Sequence, residues 1–194
     1  RYNAASQSWT NLGLATLSQQ FSIAVNSQGH VFVGNDGNVK GVYKSNANGD
    51  NLAPLNSFPS NYGYTILCLP NDDVYVGTLE KGIQYSNNGG SSWTTVNSGI
   101  PVSSCQILTL GPDGHLYAGV AGFGVYRSAQ PVIAQTPGDI DGDGDVDAAD
   151  ADLFVNVILD IETMPIRVHR ADLNADDVAN GNDVGAMTNA ILDF

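Results

Sequence analysis

Carboxylates crowd two stretches near the C-terminus at a spacing that suits a hard cation. The first reads Asp139-Ile140-Asp141-Gly142-Asp143-Gly144-Asp145-Val146-Asp147-Ala148-Ala149-Asp150. The second reads Asp172-Leu173-Asn174-Ala175-Asp176-Asp177-Val178-Ala179-Asn180-Gly181-Asn182-Asp183. Both place oxygen-bearing side chains at positions 1, 3, 5, 9 and 12 of a twelve-residue loop. Ca²⁺ takes six to eight oxygens at about 2.3–2.6 Å, and such a loop adds the carbonyl of position 7. The spacing predicts two Ca²⁺ sites. The first would use Asp139, Asp141, Asp143, Asp147 and Asp150 with the carbonyl of Asp145. The second would use Asp172, Asn174, Asp176, Asn180 and Asp183 with the carbonyl of Val178. Gly144 fills the sixth position, where the sharp turn wants a residue without Cβ strain, and Asp177 stands there in the second loop. Mg²⁺ gives up its water reluctantly, so an all-protein oxygen cage favours Ca²⁺.

Loops of this kind need elements that hold them. Leu153, Phe154, Val157 and Ile158 share one helical face after the first loop, and Val184, Met187, Ala190 and Ile191 do so after the second. Asp139 opens the first loop–helix unit and Asp172 the second, with Pro165 in the connection. This duplicated loop–helix pattern over residues 138–194 resembles a type I dockerin. The final ligand is Asp in both loops, where an EF-hand carries Glu. The resemblance implies an extracellular module that binds cohesin domains with its paired helices. It would place partner contacts at Ala148, Ala149, Leu153 and Phe154, and at Gly181, Asn182, Met187 and Thr188. Packing between the two helices is the other use open to Leu153 and Phe154.

Charge divides the chain near residue 136. Residues 137–194 hold 14 of the 20 acidic residues against Arg167 and Arg170, a net of −12, and residues 1–136 hold six acids and five bases, a net of −1. Unmetallated, the crowded carboxylates repel, so this part is expected to order in calcium and loosen in chelator. Nucleic acid is excluded as a partner, because phosphate binding needs clustered Lys and Arg. Gln130–Pro137 reads as the end of one module and a short linker, giving blade repeats over 1–130, a linker over 131–137 and a calcium module over 138–194.

The blade region is internally repetitive. Val31-Phe32-Val33-Gly34, Val74-Tyr75-Val76-Gly77 and Leu116-Tyr117-Ala118-Gly119 are offset by 43 and 42 residues. Gly41-Val42-Tyr43-Lys44-Ser45, Gly82-Ile83-Gln84-Tyr85-Ser86 and Gly124-Val125-Tyr126-Arg127-Ser128 follow at 41 and 42. A period near 42 with short alternating strands and Gly-rich turns predicts β-propeller blades of four strands. Ser86-Asn87-Asn88-Gly89-Gly90-Ser91-Ser92-Trp93 resembles the Asp-box hairpin of sialidase-like propellers, with Asn88 in the Asp place. The resemblance implies that this turn is structural. The fold class is therefore mainly β, about three blades followed by a small α module. Residues 21–55 and 66–96 read as complete blades, residues 106–127 as three strands, and Trp9–Leu12 as an isolated outer strand. Three blades do not close a ring, so an open edge invites a second copy, in a closed six-bladed dimer or a head-to-tail filament.

Catalysis would need paired carboxylates across a glycosidic bond. Asp36 and Glu80, in loops after second strands, are the one available pair, and Arg1 and Arg127 form no arginine cluster. The expectation is a non-catalytic, extracellular or cell-surface protein. Its partners would be a cohesin-like domain or another copy of itself, with no insertion into a membrane. The alternative is part of a dockerin-bearing secreted glycoside hydrolase or carbohydrate-binding propeller, acting on a polysaccharide and tethered to a cohesin scaffold. Cys68 and Cys105 stand at non-equivalent repeat positions, which favours two thiols and leaves a disulfide open. The start at Arg1, without Met, reads as a processed or truncated end.

Overall fold

The computed structural model describes residues 2–3, 8–14, 19–36, 40–101, 104–133, 137–141, 146–163, 165–176 and 178–192. A hairpin of β1 (Tyr2–Asn3) and β2 (Ser8–Trp9) comes first, with Tyr2 opposite Trp9. The expected strand over Trp9–Leu12 is thus shorter and paired locally. Trp9 is 80% exposed, and two residues carry too little alternation to fix a register from sequence.

Two four-stranded antiparallel sheets follow. The first holds β3 (Gln20–Val25), β4 (Val31–Asn35), β5 (Val42–Lys44) and β6 (Ala53–Pro54) in chain order. Pro54 lies on the edge strand, where no ladder donor is missed. The second holds β7 (Thr65–Cys68), β8 (Val74–Gly77), β9 (Ile83–Ser86) and β10 (Thr94–Thr95). A third, three-stranded sheet holds β11 (Cys105–Leu110), β12 (Leu116–Val120) and β13 (Gly124–Arg127). The repeat read from sequence is therefore one up-and-down sheet per period.

The alternating residues explain the packing. Phe32 and Val42 of the first sheet meet Ile66, Val74 and Val76 of the second around Phe58, all at most 6% exposed. Burial of each such side chain contributes about 1.5–3 kcal/mol. Trp93 packs edge-on against Phe58, with ring centres 4.9 Å apart. Polar groups bridge the sheets at a repeated place. Ser22 Oγ accepts the Ile66 N–H at 2.9 Å, and Thr65 Oγ1 accepts that of Leu108 at 3.3 Å. The Asp-box-like turn is closed by Asn88, whose Oδ1 accepts from Ser86 Oγ and Ser92 N–H, both at 2.9 Å. Gly90, at φ +87°, donates its N–H to Ser86 Oγ.

Among the described residues three helices follow the blades: α1 (Ala148–Ile158), α2 (Pro165–Ala171) and α3 (Val184–Leu192), the last preceded by a 3₁₀ turn at Gly181–Asp183. α2 goes beyond the two helices that the spacing predicts, although Pro165 at its first position is a helix-start signal. The chain divides into two compact units, residues 1–109 with 118–126, and residues 110–117 with 127–194.

Candidate metal centre

The core of the second unit is built from duplicated positions. Ile140, Val146, Phe154, Val157, Ala171 and Met187 are buried together, with Leu173, Ala179, Ala190 and Ile191 against them. Ile140 and Leu173, Val146 and Ala179, and Phe154 and Met187 are equivalent pairs, separated by the same interval as Asp139 and Asp172. Positions 2 and 8 of each loop thus point into the core.

Asp150 closes the first loop. It is fully buried; its Oδ1 accepts the N–H groups of Ile140 at 2.6 Å and Asp141 at 3.0 Å, and its Oδ2 that of Asp147 at 2.9 Å. Asp147 caps α1, accepting from Ala149 N–H at 2.7 Å, and Asp150 returns the contact in a capping box. Asp139, Asp141 and Asp150 each offer a carboxylate oxygen, and these oxygens lie within 4.8 Å of one another. Two oxygens on one Ca²⁺ lie at most about 5 Å apart, twice the bond length, so the group fits such an ion. Asp139 is also buried, at 3% exposure.

The second loop repeats this closure. Asp183 is fully buried; its Oδ1 accepts from Leu173 at 2.9 Å and Asn174 at 3.0 Å, and its Oδ2 from Asn180 at 2.8 Å. Asn180 caps the 3₁₀ turn, accepting from Asn182 N–H at 2.8 Å. Asp172 and Asn174 both accept from Asp176 N–H, at 3.1 and 2.9 Å, and Asn174 Nδ2 donates to Asp176 Oδ2 at 3.0 Å. Positions 1, 3 and 5 of the second loop are therefore brought together. Val178 directs its carbonyl to Asn180 Nδ2 at 2.9 Å. Asp143 and Asp145, expected in the first site, lie outside the described residues.

The expected partner contacts separate into two groups. Ala148, Ala149, Gly181, Asn182 and Thr188 are exposed, and Leu153 is half-buried. Phe154 and Met187 are 4% and 3% exposed inside the core, so their side chains pack within the unit and are not a partner surface. Among blade carboxylates, Asp36 is half-buried and Glu80 exposed. The loop spacing alone misses the two capping boxes, though Asp147-x-x-Asp150 and Asn180-x-x-Asp183 carry their signal.

Residues 3–147 match the DUF6242 beta propeller domain. The chain belongs to that family. Residues 137–192 of this DUF6242 protein match the type I dockerin domain, a domain type that binds calcium. No curated protein matches the chain. Among solved structures, the extracellular domain of a hybrid two component system from B. thetaiotaomicron is similar at 18% identity and TM-score 0.48, over 61% of this chain and 16% of that one. PorZ, a surface component of the type-IX secretion system of Porphyromonas gingivalis, is similar at 19% identity and TM-score 0.43, over 55% and 17%. The GH74 xyloglucanase of Xanthomonas campestris is similar at 21% identity and TM-score 0.42, over 50% and 18%. The chain thus spans about a sixth of the length of these proteins. No helix among the described residues is long and apolar enough to cross a membrane.

Proposed function

We propose that this is a non-catalytic, extracellular or cell-surface assembly protein whose dockerin domain docks a cohesin-like protein in a calcium-dependent way. Blade repeats over 1–130 and the module over 138–194, joined by residues 131–137, would be its two working parts. The observation that carries the reading is the convergence of Asp139, Asp141 and Asp150 in a loop whose closure is repeated by Asp183. Asp143, Asp147 and the Asp145 carbonyl would complete the first site. Asp172, Asn174, Asp176, Asn180, Asp183 and the Val178 carbonyl would form the second. Bound calcium would neutralise carboxylates that otherwise repel.

The chain's own residues do the rest. Asp150 and Asp183 tie each loop to the helix that follows it. Ala148, Ala149, Gly181, Asn182 and Thr188, all exposed at the helix starts or on α3, form the docking surface with the half-buried Leu153. The blades present a second protein-binding surface. Calorimetry of the intact chain with CaCl₂, then with an immobilised type I cohesin in calcium and in EDTA, tests this. Two calcium equivalents and a one-to-one complex lost in EDTA are expected. Absence of calcium binding at millimolar concentration would overturn it.

A further inference from the structure

The two loops offer calcium unequal sets of oxygens. In the first loop the side chains at positions 1, 3, 5, 9 and 12 are all carboxylates. In the second, Asn174 and Asn180 stand at positions 3 and 9, which leaves Asp172, Asp176 and Asp183. Affinity at oxygen sites of this kind is tuned by the charge of the ligands and the rigidity of the site. An amide oxygen carries only a partial charge, so each exchange of carboxylate for amide weakens the attraction for a divalent ion.

The two amides also have another use in the second loop. Asn174 Oδ1 accepts the N–H of Asp176, and Asn180 Oδ1 accepts that of Asn182. A backbone N–H can only donate, so each amide is fixed with its Nδ2 turned the other way. Asn174 Nδ2 donates to Asp176 Oδ2 at 3.0 Å, and Asn180 Nδ2 donates to the Val178 carbonyl at 2.9 Å. Those acceptors belong to positions 5 and 7, two of the oxygens an ion would use. Each amide therefore supplies part of the compensation that calcium would supply. Asp176 Oδ1 is held in turn by the Val178 N–H at 3.0 Å. The backbone adds a cost of its own. Ala175, at position 4, stands at φ +58°, where a Cβ is strained, and the first loop has Gly142 at that position.

The first loop presents the opposite balance. Oxygens of Asp139, Asp141 and Asp150 lie within 4.8 Å of one another, and Asp139 and Asp150 are buried. Carboxylates this close disfavour one another's charge until a cation lies among them. Among the described residues, Asp172, Asp176 and Asp183 form no such group.

We propose that the two loops fill in order: the first takes calcium tightly, and the second, closed on itself by Asn174 and Asn180, fills only at about 100-fold higher calcium, roughly tenfold for each amide. This rests on the reading of both loops as calcium sites and adds their order. Ala148 and Ala149 follow the first loop, and Gly181 and Asn182 lie in the second. The two parts of the docking surface thus answer to different calcium ranges.

Calorimetry of the intact, calcium-stripped chain with CaCl₂ is the test, on the unaltered protein and two variants. The unaltered chain is expected to take up two equivalents in phases about 100-fold apart. Asp141→Asn is expected to weaken the tight phase about tenfold and leave the weak one in place. Asn174→Asp combined with Asn180→Asp is expected to tighten the weak phase by about tenfold or more and draw the two phases together. Circular dichroism in saturating calcium that matches the unaltered chain shows that each variant folds. Two equivalents of equal affinity, a single equivalent, a weak phase indifferent to the paired substitution, or an effect of Asp141→Asn on the weak phase would each overturn the order. Two separate phases without cohesin binding would overturn the docking reading and leave the order standing. No calcium uptake at all would overturn both.

Discussion

Asp150 and Asp183 occupy one place in two copies of the same loop: each buried carboxylate accepts from the backbone N–H groups ten, nine and three residues before it. A hydrogen bond to a charged group is worth about 1.5–3 kcal/mol, and a buried donor left unpaired costs about 1–3 kcal/mol. Asp150→Ala removes three accepted hydrogen bonds at once, so a loss on the order of 4 kcal/mol or more is expected for the second unit. Asp147→Ala removes one exposed helix cap, worth about 1 kcal/mol. Thermal unfolding followed by helix circular dichroism separates the two. Equal effects would mean that Asp150 does not hold the loop closed.

Calcium removal acts on the same unit by another route. Asp139 and Asp150 are buried within 4.8 Å of each other's oxygens, with Asp141 beside them. Chelation is expected to lower the helical signal of α1 and α3, and calcium to restore it. Asp141→Asn keeps the shape and removes one charge. It is expected to weaken calcium binding by about tenfold, or about 1.4 kcal/mol, with little loss of stability in saturating calcium. Calorimetry that finds an unaltered affinity would remove Asp141 from the site.

Much of this architecture was legible because it is repeated. Equivalent apolar residues such as Ile23, Ile66 and Leu108 mark each sheet, and Asp139 and Asp172 mark each loop. What repetition does not reveal is the use of a residue with two competing partners. An oxygen at position 12 serves a cation and backbone N–H groups equally well on paper, and only the fold shows that Asp150 and Asp183 each accept three amides. Periodicity likewise put Phe154 and Met187 on a helical face without saying what covers it; the duplicated core does. The hairpin of β1 and β2 and the seven-residue α2 are too short to carry a period.

Asn88 offers a test of the blade turns. Its Oδ1 accepts two hydrogen bonds and its Nδ2 donates to Ser92 Oγ at 2.8 Å, fixing the hairpin that seats Trp93. Asn88→Ala should cost the blade unit about 2 kcal/mol. Asn88→Asp keeps both accepted bonds, and Ser92 can turn its hydroxyl to donate, so stability should change by less than about 1 kcal/mol. Denaturant midpoints of the two variants give the comparison. Matching losses would show that the side chain's shape, not its acceptor, sets the turn.

The two cysteines are free thiols, and burial pushes Cys68 up to about 12 and Cys105 up to about 11. The charge of Asp72 adds to the rise at Cys68, and a hydrogen bond to Ile107 opposes it at Cys105. The thiolate is the reactive form, so both should resist a disulfide reagent at pH 8 in the folded chain and react promptly in denaturant. The raised folded values also fix a sign. The folded state holds these protons more tightly than the unfolded chain, so the stabilisation is complete below the ordinary thiol range and is lost as pH rises from there to about 12. Tyr75, also raised to about 12 by burial, titrates against the fold in the same window. A melting temperature that is flat near neutrality and falls through this alkaline range is expected for the unaltered chain. The fall should be shallower once Cys68 is replaced by Ala. Rapid labelling of both thiols in the native protein at pH 8 would contradict their burial.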